Sequence, residues 1–523
     1  MQLSDHSLRQ IDEEAIRTLP EESVRKLAMK LLADLKEARE RLHQDSQNSS
    51  RPPGSDAPWD KGAVAVEDDE GRLLEDDREG CGEMEQEEAV TETAQADRGD
   101  SSISGAPRKP GKQPGAQGHG REQPLSIHSC EHHRPRQCAC CGCCFEDESS
   151  SLAYTAFYTL DIEWGDLDSP GIRVVNSKHI YYETTCCCGH QTREAPCQQA
   201  QDPLLADIEL SQWRLVGPGL AALIVCLAFR MRLSRPRIQE FLDDWLGIRL
   251  SVGTIHQAIE ESGRCAMPLE EPLVAHVRAS GLLHVDESTW SEGKLLLWLW
   301  VFSTSTVVVY WIAWRTAELI DNVLGEHYAG WLMSDGYPVY RHYLNRLRCW
   351  AHLVRKARGL AESLDLKAQS FGRKTLDLLN TLMAAVYAAR EGPPTALSQL
   401  YQDLLANYRL ECERMKEAAH AKARALAVEM LNDWEAIFRV LDHPHLPLTN
   451  NEAERALRHW VILRRMCYGT RTEQGSRVFA ILASVIETCR KRNSSPWRYL
   501  ETVIANRRAG LPVPLLPIAV GGE

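Results

Sequence analysis

The sequence predicts a multidomain α/β protein, and three observations carry that expectation. The chain has 523 residues, enough for about three to four domains. Between Gly281 and Trp314 the apolar residues come in strand-like runs, followed by a short helical stretch and one more strand. Beyond Asn345 nearly everything reads as helix, to about Arg508. Strands followed by helices that flank one further strand fit an α/β core.

The elements before that core differ in kind. From about Pro20 to Leu42 a helix is expected, with Pro20 tolerable only in its first turn. Leu27, Leu31, Leu35 and Leu42 recur at helical or heptad-like steps, which suits a short coiled coil or an amphipathic helix packed on its own domain. From Asp45 the composition turns to Ser, Asn, Pro and Gly, then to an acidic run, then to RKPGKQPGAQGHGR, and no packed core is expected there. The net charge is −13, but residues 61–100 hold 15 Asp and Glu against 4 Lys and Arg, a local −11. The remainder is near neutral, so basic patches elsewhere can bind phosphates.

Of 17 cysteines, ten fall between Cys130 and Cys197. Met1 to Gln10 is polar, with no secretory pattern, and the apolar run Gly219 to Phe229 is too short to span a bilayer and reads as a buried helix. A cytoplasmic protein is expected, and clustered thiols there favour metal over disulfides. Cys138 and Cys141 before Gly142 have zinc-knuckle spacing; Cys186 and Cys188 before Gly189 supply a second pair for tetrahedral zinc. Strand-like RVVNSKHIYYETT lies between the pairs. Cys140, Cys143, Cys144 and Cys187 are surplus and leave the ligand register open, and buried or redox thiols are the alternative reading.

RLSRPRIQEFLDDWLGIRLSVGTIHQAIEES then reads as helix, turn, helix. Gly247 can end the first helix in a left-handed conformation and Ser251 can cap the second, to about Ser262. As a helix-turn-helix it offers Thr254, His256 and Gln257 to a DNA groove, with Arg232, Arg235, Arg237 and Arg249 for phosphates. Two helices packed with no DNA role are the bland alternative.

In the core, Asp286 ends the run LLHV, and Asp335 ends WLMS just before Gly336. Strand-end carboxylates converge readily at a sheet edge, although such aspartates also cap turns. A third acid lies in PLTNNEAERALRHWV, where Thr449 and Glu452 have capping-box spacing. Glu454 has no such duty and shares a helix face with Asn450, Asn451 and Arg458. Three carboxylates suit a pair of magnesium or manganese ions acting on a phosphodiester. Trp298, Trp300, Trp311 and Trp314 are expected in the sheet core, and 366–439 as an inserted helical subdomain.

The strings HVDES, SDGYPVY, RCWAHLVRKA, NNEAERALR and GTRTEQGSRVFAILASVIETCRKRNSSPWRYL resemble the transposases of the insertion sequence 66 family, as do NSSRPPGSD and KPGKQPGAQGHGR. The resemblance runs in order along nearly the whole chain, the acidic stretch excepted. It implies a ribonuclease-H-like core with a DDE metal triad, carried over by motif to Asp286, Asp335 and Glu454, and a zinc-binding domain at the cysteines. It also implies DNA-binding residues near the triad: Arg455 and Arg458, with His352 of CWAH either there, on a phosphate, or purely structural. The chain departs from the family at Arg464-Arg465-Met466, where Arg-Lys-Asn is usual, and at Gly469-Thr470, where Gly-Ser is frequent.

The expected organisation is therefore an N-terminal helical segment (1–48), a linker (49–122), a zinc-binding domain (123–201), a helix-turn-helix domain (202–278), a catalytic domain (279–468) with its insertion, and a C-terminal helical element (469–523). The expected activity is divalent-metal-dependent cleavage and strand transfer at the ends of a bacterial insertion sequence. The expected partners are terminal repeats, target DNA, further copies of the chain, and accessory proteins of the same element, with association to the nucleoid when on DNA. A catalytically inactive DNA-binding regulator and a nuclease that does not join are the alternatives.

Overall fold

The computed structural model describes residues 21–42, 126–145, 151–165, 168, 170–194, 215–325, 328–393 and 396–519. The linker expected over 49–122 lies outside them. Helix α1 (Glu21–Leu42) begins the described chain and leaves Leu31 and Leu35 exposed.

A first sheet comprises β1 (Ser129–His133), β2 (Ser151–Trp164), β3 (Ile172–Thr185) and β4 (Gln191–Arg193). Its order is β1-β3-β2, with β4 pairing the end of β3. Four helices follow: α2 (Pro218–Phe229), α3 (Arg235–Leu246), α4 (Val252–Ala266) and α5 (Glu270–Arg278). Helix α2 is buried along almost its whole length, as its uninterrupted apolar run requires. No helix among the described residues is long and apolar enough to cross a membrane. Gly247 ends α3 at φ 63°, a left-handed cap, and the Ser251 hydroxyl caps α4 by accepting from Thr254 N.

The second sheet is built from β5 (Leu282–Glu292), β6 (Leu295–Ser303), β7 (Val308–Ala313), then α6 (Ala317–Leu324), β8 (Trp331–Ser334) and β9 (Arg346–Arg348). Its order is β7-β6-β5-β8-β9, with β5–β6 and β6–β7 antiparallel and β5–β8 and β8–β9 parallel. Strand β9 was not expected. It has three residues and reads Arg-Leu-Arg, too short and too charged to show a period, and its arginines are buried only because acids meet them. Trp300 is fully buried and Trp298 and Trp311 partly so, but Trp314 lies beyond the end of β7 and is exposed, contrary to expectation.

The remaining helices are α7 (Trp350–Ala361), α8 (Leu366–Glu391), α9 (Leu397–Leu400), α10 (Gln402–Met415), α11 (Ala421–Asn432), α12 (Trp434–Phe438), α13 (Asn451–Cys467), α14 (Glu473–Lys491) and α15 (Pro496–Arg508). Two principal cores result. One joins α2 to α5, strands β5 to β7, α13, α14 and α15 in a continuous apolar cluster, so the helix pair α3–α4 shares its core with the sheet. The other is formed by α7, α8 and α10 to α12, around Trp350, Phe371 and Ile437. Along the outer edge of β7, Val308 N donates to the Thr488 hydroxyl and Tyr310 N to that of Ser484, so α14 covers an otherwise unpaired strand edge.

One junction makes a pH prediction. His459 of α13 donates from Nε2 to Phe229 O at 2.7 Å and accepts at Nδ1 from Arg232 at 2.8 Å. Arg232 is thereby engaged inside the protein. Burial, reinforced by Arg230 and Arg232, pushes His459 down from 6.5 to about 4. Between those values the unfolded chain binds a proton that the folded chain refuses, so this contribution to stability is lost as pH falls through the window. Thermal melts should show a smaller acid loss, from about pH 7 to about pH 5, in His459→Gln than in the parent. Equal losses would remove His459 from the account.

Candidate active site and metal centres

The parallel register of β5 and β8 pairs Leu282 with Trp331 and His284 with Met333. Continued two residues further, it sets Asp286 level with Asp335 on neighbouring strands. Such strands lie about 4.8 Å apart, so both carboxylates emerge at one edge. Asp286 accepts from Glu287 N at 2.9 Å, and Asp335 from Tyr337 N at 2.9 Å.

The third acid arrives on α13, but not by the expected capping box. Asn450, not Thr449, occupies the N-cap, and its side chain does not cap. It turns into the core instead, where its amide donates to Val285 O at 2.8 Å and its oxygen meets His284 Nδ1 at 3.1 Å. Asn450 N donates to the Cys349 sulfur. Burial of this amide pins the start of α13 to β5, and Glu454, one turn on, is set over the strand end. Glu452 points away and pairs with Lys491. Glu454 does not pair with Arg458 either: its Oε1 lies 3.7 Å from Arg355 and 3.9 Å from His352 Nδ1.

The electrostatics of Asp286 are unfavourable without a cation. Burial, then the charges of Asp335, Glu287 and Glu454, hold Asp286 well above the usual carboxylate range. Glu454 Oε1 and His352 Nδ1 are buried without a hydrogen-bond partner. Clustered carboxylates with an orphaned oxygen fit a hard divalent ion, which would satisfy the oxygen and relieve the repulsion. His352 is pushed down to about 4, by burial and then by Arg355, so its imidazole is neutral at neutral pH.

Beside Asp335 opens a cleft of about 770 Å³, lined by Arg315, Arg341, His352, Lys356, Arg424 and Glu429 among others. Its floor is an ion network. Asp433 receives Arg341 at 3.0 Å and Arg346 at 2.8 Å, while Glu429 receives Lys356 at 2.7 Å and Arg348. A Cβ at Gly336 would come within 2.7 Å of the Arg348 guanidinium and 2.9 Å of the Glu429 carboxylate, so a larger residue there would displace these side-chain ends. Arg346 and Arg348 are buried in this network, while Arg341 and Lys356 reach the cleft lining together with Arg424. Arg315 adds to it: Glu287 holds it at 2.5 Å, and it stacks on Tyr337 and Trp298. Glu287, flanked by Asp286 in sequence, is raised to about 7 by burial and Asp335, with Arg315 and Tyr340 opposing. Arg315, Arg341, Lys356, Arg424, Glu287 and Asn450 were not singled out as site residues from sequence, because no local spacing joins them.

The other sequence-derived residues are placed as follows. Arg235, Arg237, Arg249, His256 and Gln257 are exposed and Thr254 is half-buried along α3 and α4, with Arg235 touching His256 and Arg249 paired to Asp243. Arg455 and Arg458 are exposed on α13. Arg464 reaches β5, bonding Ser288 and Thr289, and Thr470 accepts from Trp290 Nε1, so the departure at Thr470 has a structural partner.

In the first sheet, the sulfurs of Cys138, Cys141, Cys186 and Cys188 converge. Cys138 and Cys188 are 3.7 Å apart, Cys141 and Cys186 3.5 Å. Thiolates bound to tetrahedral zinc at about 2.3 Å would stand about 3.8 Å apart, so the set fits the ion. Gly142 at φ 72° and Gly189 at φ 80° make the two matching turns, and the N–H of Cys141 helps lower the Cys138 thiol to about 6. Cys143, Cys186 and Cys187 form a competing trio that shares Cys186, so the two sets cannot both be filled.

Comparison with known proteins bears on this geometry. A family of unknown function (DUF6444) matches residues 4–64. Three proteins of Sinorhizobium fredii (strain NBRC 101917 / NGR234), each described only as uncharacterized, are similar: y4hP at 26% identity over 57% of this chain, y4qI at 23% over 51%, and y4jO at 23% over 30%. The chain spans 60%, 55% and 47% of their respective lengths. The transposase IS66 family matches residues 214–478, a span that holds Asp286, Asp335, Glu454 and the cationic cleft. This chain belongs to the transposase IS66 family.

Proposed function

We propose that the protein is a DDE-type DNA transposase, acting on the ends of a bacterial insertion sequence in the cytoplasm, with Asp286, Asp335 and Glu454 as its metal ligands. The observation that carries this reading is that Asp335, just past β8, and Glu454 of α13 lie near enough to Asp286 of β5 for their charges to raise it, with Asp335 lining a cleft rich in cations. The strand order β7-β6-β5-β8-β9, with its two antiparallel and two parallel pairings, supports a ribonuclease-H-like core. Bound magnesium or manganese would activate the attacking water or 3′-hydroxyl and stabilise the leaving oxygen.

The chain's own groups supply the rest. Asn450 holds α13 so that Glu454 faces the two aspartates. Arg315, Arg341, Lys356 and Arg424 offer charge to DNA phosphates along the cleft, and neutral His352 can donate to a phosphate oxygen without adding charge. On the α3–α4 pair, His256, Gln257 and Thr254 read DNA while Arg235, Arg237 and Arg249 hold its backbone. Arg455 and Arg458 extend that basic surface along α13. The four-cysteine cluster binds zinc and shapes an accessory module outside the family-matched residues.

The deciding experiment is incubation of the purified chain with the element's end sequences and magnesium, scored for both cutting and joining. Cutting without joining would make it a nuclease, and end binding without either a regulator. As a check on the cleft, Arg424→Ala should weaken DNA binding uniformly across sequences and reduce the salt slope by about one. An unchanged slope would move the phosphate path elsewhere.

A further inference from the structure

A third cluster of ligand-bearing side chains lies on the first sheet, away from the cysteines. Strand β1 runs parallel to β3, with Glu131 level with His179 and His133 level with Tyr181. Side-chain alternation puts Glu131 and His133 on one face, and the register puts His179 there too. Ser129 and Ser177, the next pair along that face, join hydroxyls at 2.8 Å. Glu131 Oε2 lies 3.1 Å from His179 Nδ1 and 3.9 Å from His133 Nε2. The two ring nitrogens are themselves 3.1 Å apart. The rings have support: His133 stacks on buried Tyr181 at 4.5 Å, and Phe157 packs edge-on to Tyr181.

We propose that Glu131, His133 and His179 form a second transition-metal site, of zinc-like ions, independent of the thiolate cluster and of the three acids. One nitrogen, His179 Nδ1, is approached at 3.1 Å by both a carboxylate oxygen and a second ring nitrogen. An N–H there can be aimed well at only one of them, and a lone pair there can accept from His133 Nε2–H but then faces the Glu131 oxygen. A cation between the three atoms satisfies every lone pair at once. Two imidazoles on tetrahedral zinc, at bond lengths of about 2.0–2.1 Å, stand about 3.3 Å apart, close to the separation seen. Two nitrogens and one oxygen select zinc, cobalt, nickel or copper over magnesium. Three protein ligands leave at least one position for water. The ion would tie the five-residue β1 to β3, the two strands that lead into the two cysteine turns. None of the three ligands lies in a family-matched segment.

The test is cobalt titration of the full chain in millimolar magnesium, which keeps the three acids loaded equally in every protein compared. The parent should take up one more cobalt per chain than the His133→Ala, His179→Ala double variant. The thiolate-to-cobalt charge-transfer absorption should be equal in both, while weaker visible bands from nitrogen and oxygen ligation should vanish in the variant. Glu131→Gln, at an exposed position that cannot disturb the core, should weaken the additional site by about tenfold or more. That single variant decides the matter if the double variant loses its thiolate absorption through misfolding. Equal uptake and identical spectra in parent and Glu131→Gln would overturn the proposal and leave a hydrogen-bonded histidine pair.

Discussion

Replacing any one of Asp286, Asp335 or Glu454 by its amide should abolish DNA cleavage while leaving end binding largely intact. Each change removes a ligand charge with almost no change of shape. The expected loss is at least about 10³-fold in rate, on the order of 4 kcal/mol of transition-state stabilisation. Asp286→Asn should also strengthen the metal-free fold. Asp286 is held high by burial and by its acidic neighbours, so amide replacement removes a repulsion that a proton or a cation otherwise relieves. A raised melting temperature without metal, joined to a lost response to magnesium, is the expected signature. Glu452→Gln is the control. It loses the pair with Lys491, worth about 1 kcal/mol or less for a partly exposed pair, and should still cut. Activity that survives Glu454→Gln but not Glu452→Gln would reassign the third acid.

The second large effect is expected at the cysteines. Cys138→Ser with Cys186→Ser should remove one zinc per chain and unfold the sheet β1–β4. That sheet buries few large apolar side chains, chiefly Leu160, Ile162 and Tyr181, and cannot rely on a core of its own. Structural zinc sites in small modules are worth about 10–16 kcal/mol at neutral pH, so its loss should dominate. Elemental analysis and limited proteolysis across 126–194 would show it, with cleavage confined to that segment. Cys140→Ser and Cys144→Ser should be silent in both assays. A parent protein that holds no zinc yet resists proteolysis there would refute the assignment, and zinc lost with Cys143→Ser or Cys187→Ser would shift it to the competing trio.

What the sequence by itself determined is what local chemistry controls. Short strand-like apolar runs marked β5 to β7, turn residues marked Gly247 and Ser251, and an unbroken apolar run marked α2 as buried. Asp335 could be named because a strand that ends in an acid is visible over five residues; Asp286 ends only the apolar run LLHV, and the structure places it inside β5, which continues to Glu292 because β6 pairs with it that far. Tertiary structure decided whatever depends on distant partners. Asn450 reads as part of a helix start, yet it turns inward because His284, 166 residues away, and Val285 lie there to meet it. The capping box at Thr449 loses to that contact, since a buried amide with both its groups bonded outweighs an exposed cap. Strand β9 exists only because Asp433 and Glu429 neutralise its arginines from another helix. The cleft cations come from segments that share no spacing, and the choice among the clustered thiols is made by two turns, distant in sequence, that follow the parallel strands β1 and β3 at the same end of the sheet. Periodicity reports which face a residue takes on its own element; only packing decides what that face meets.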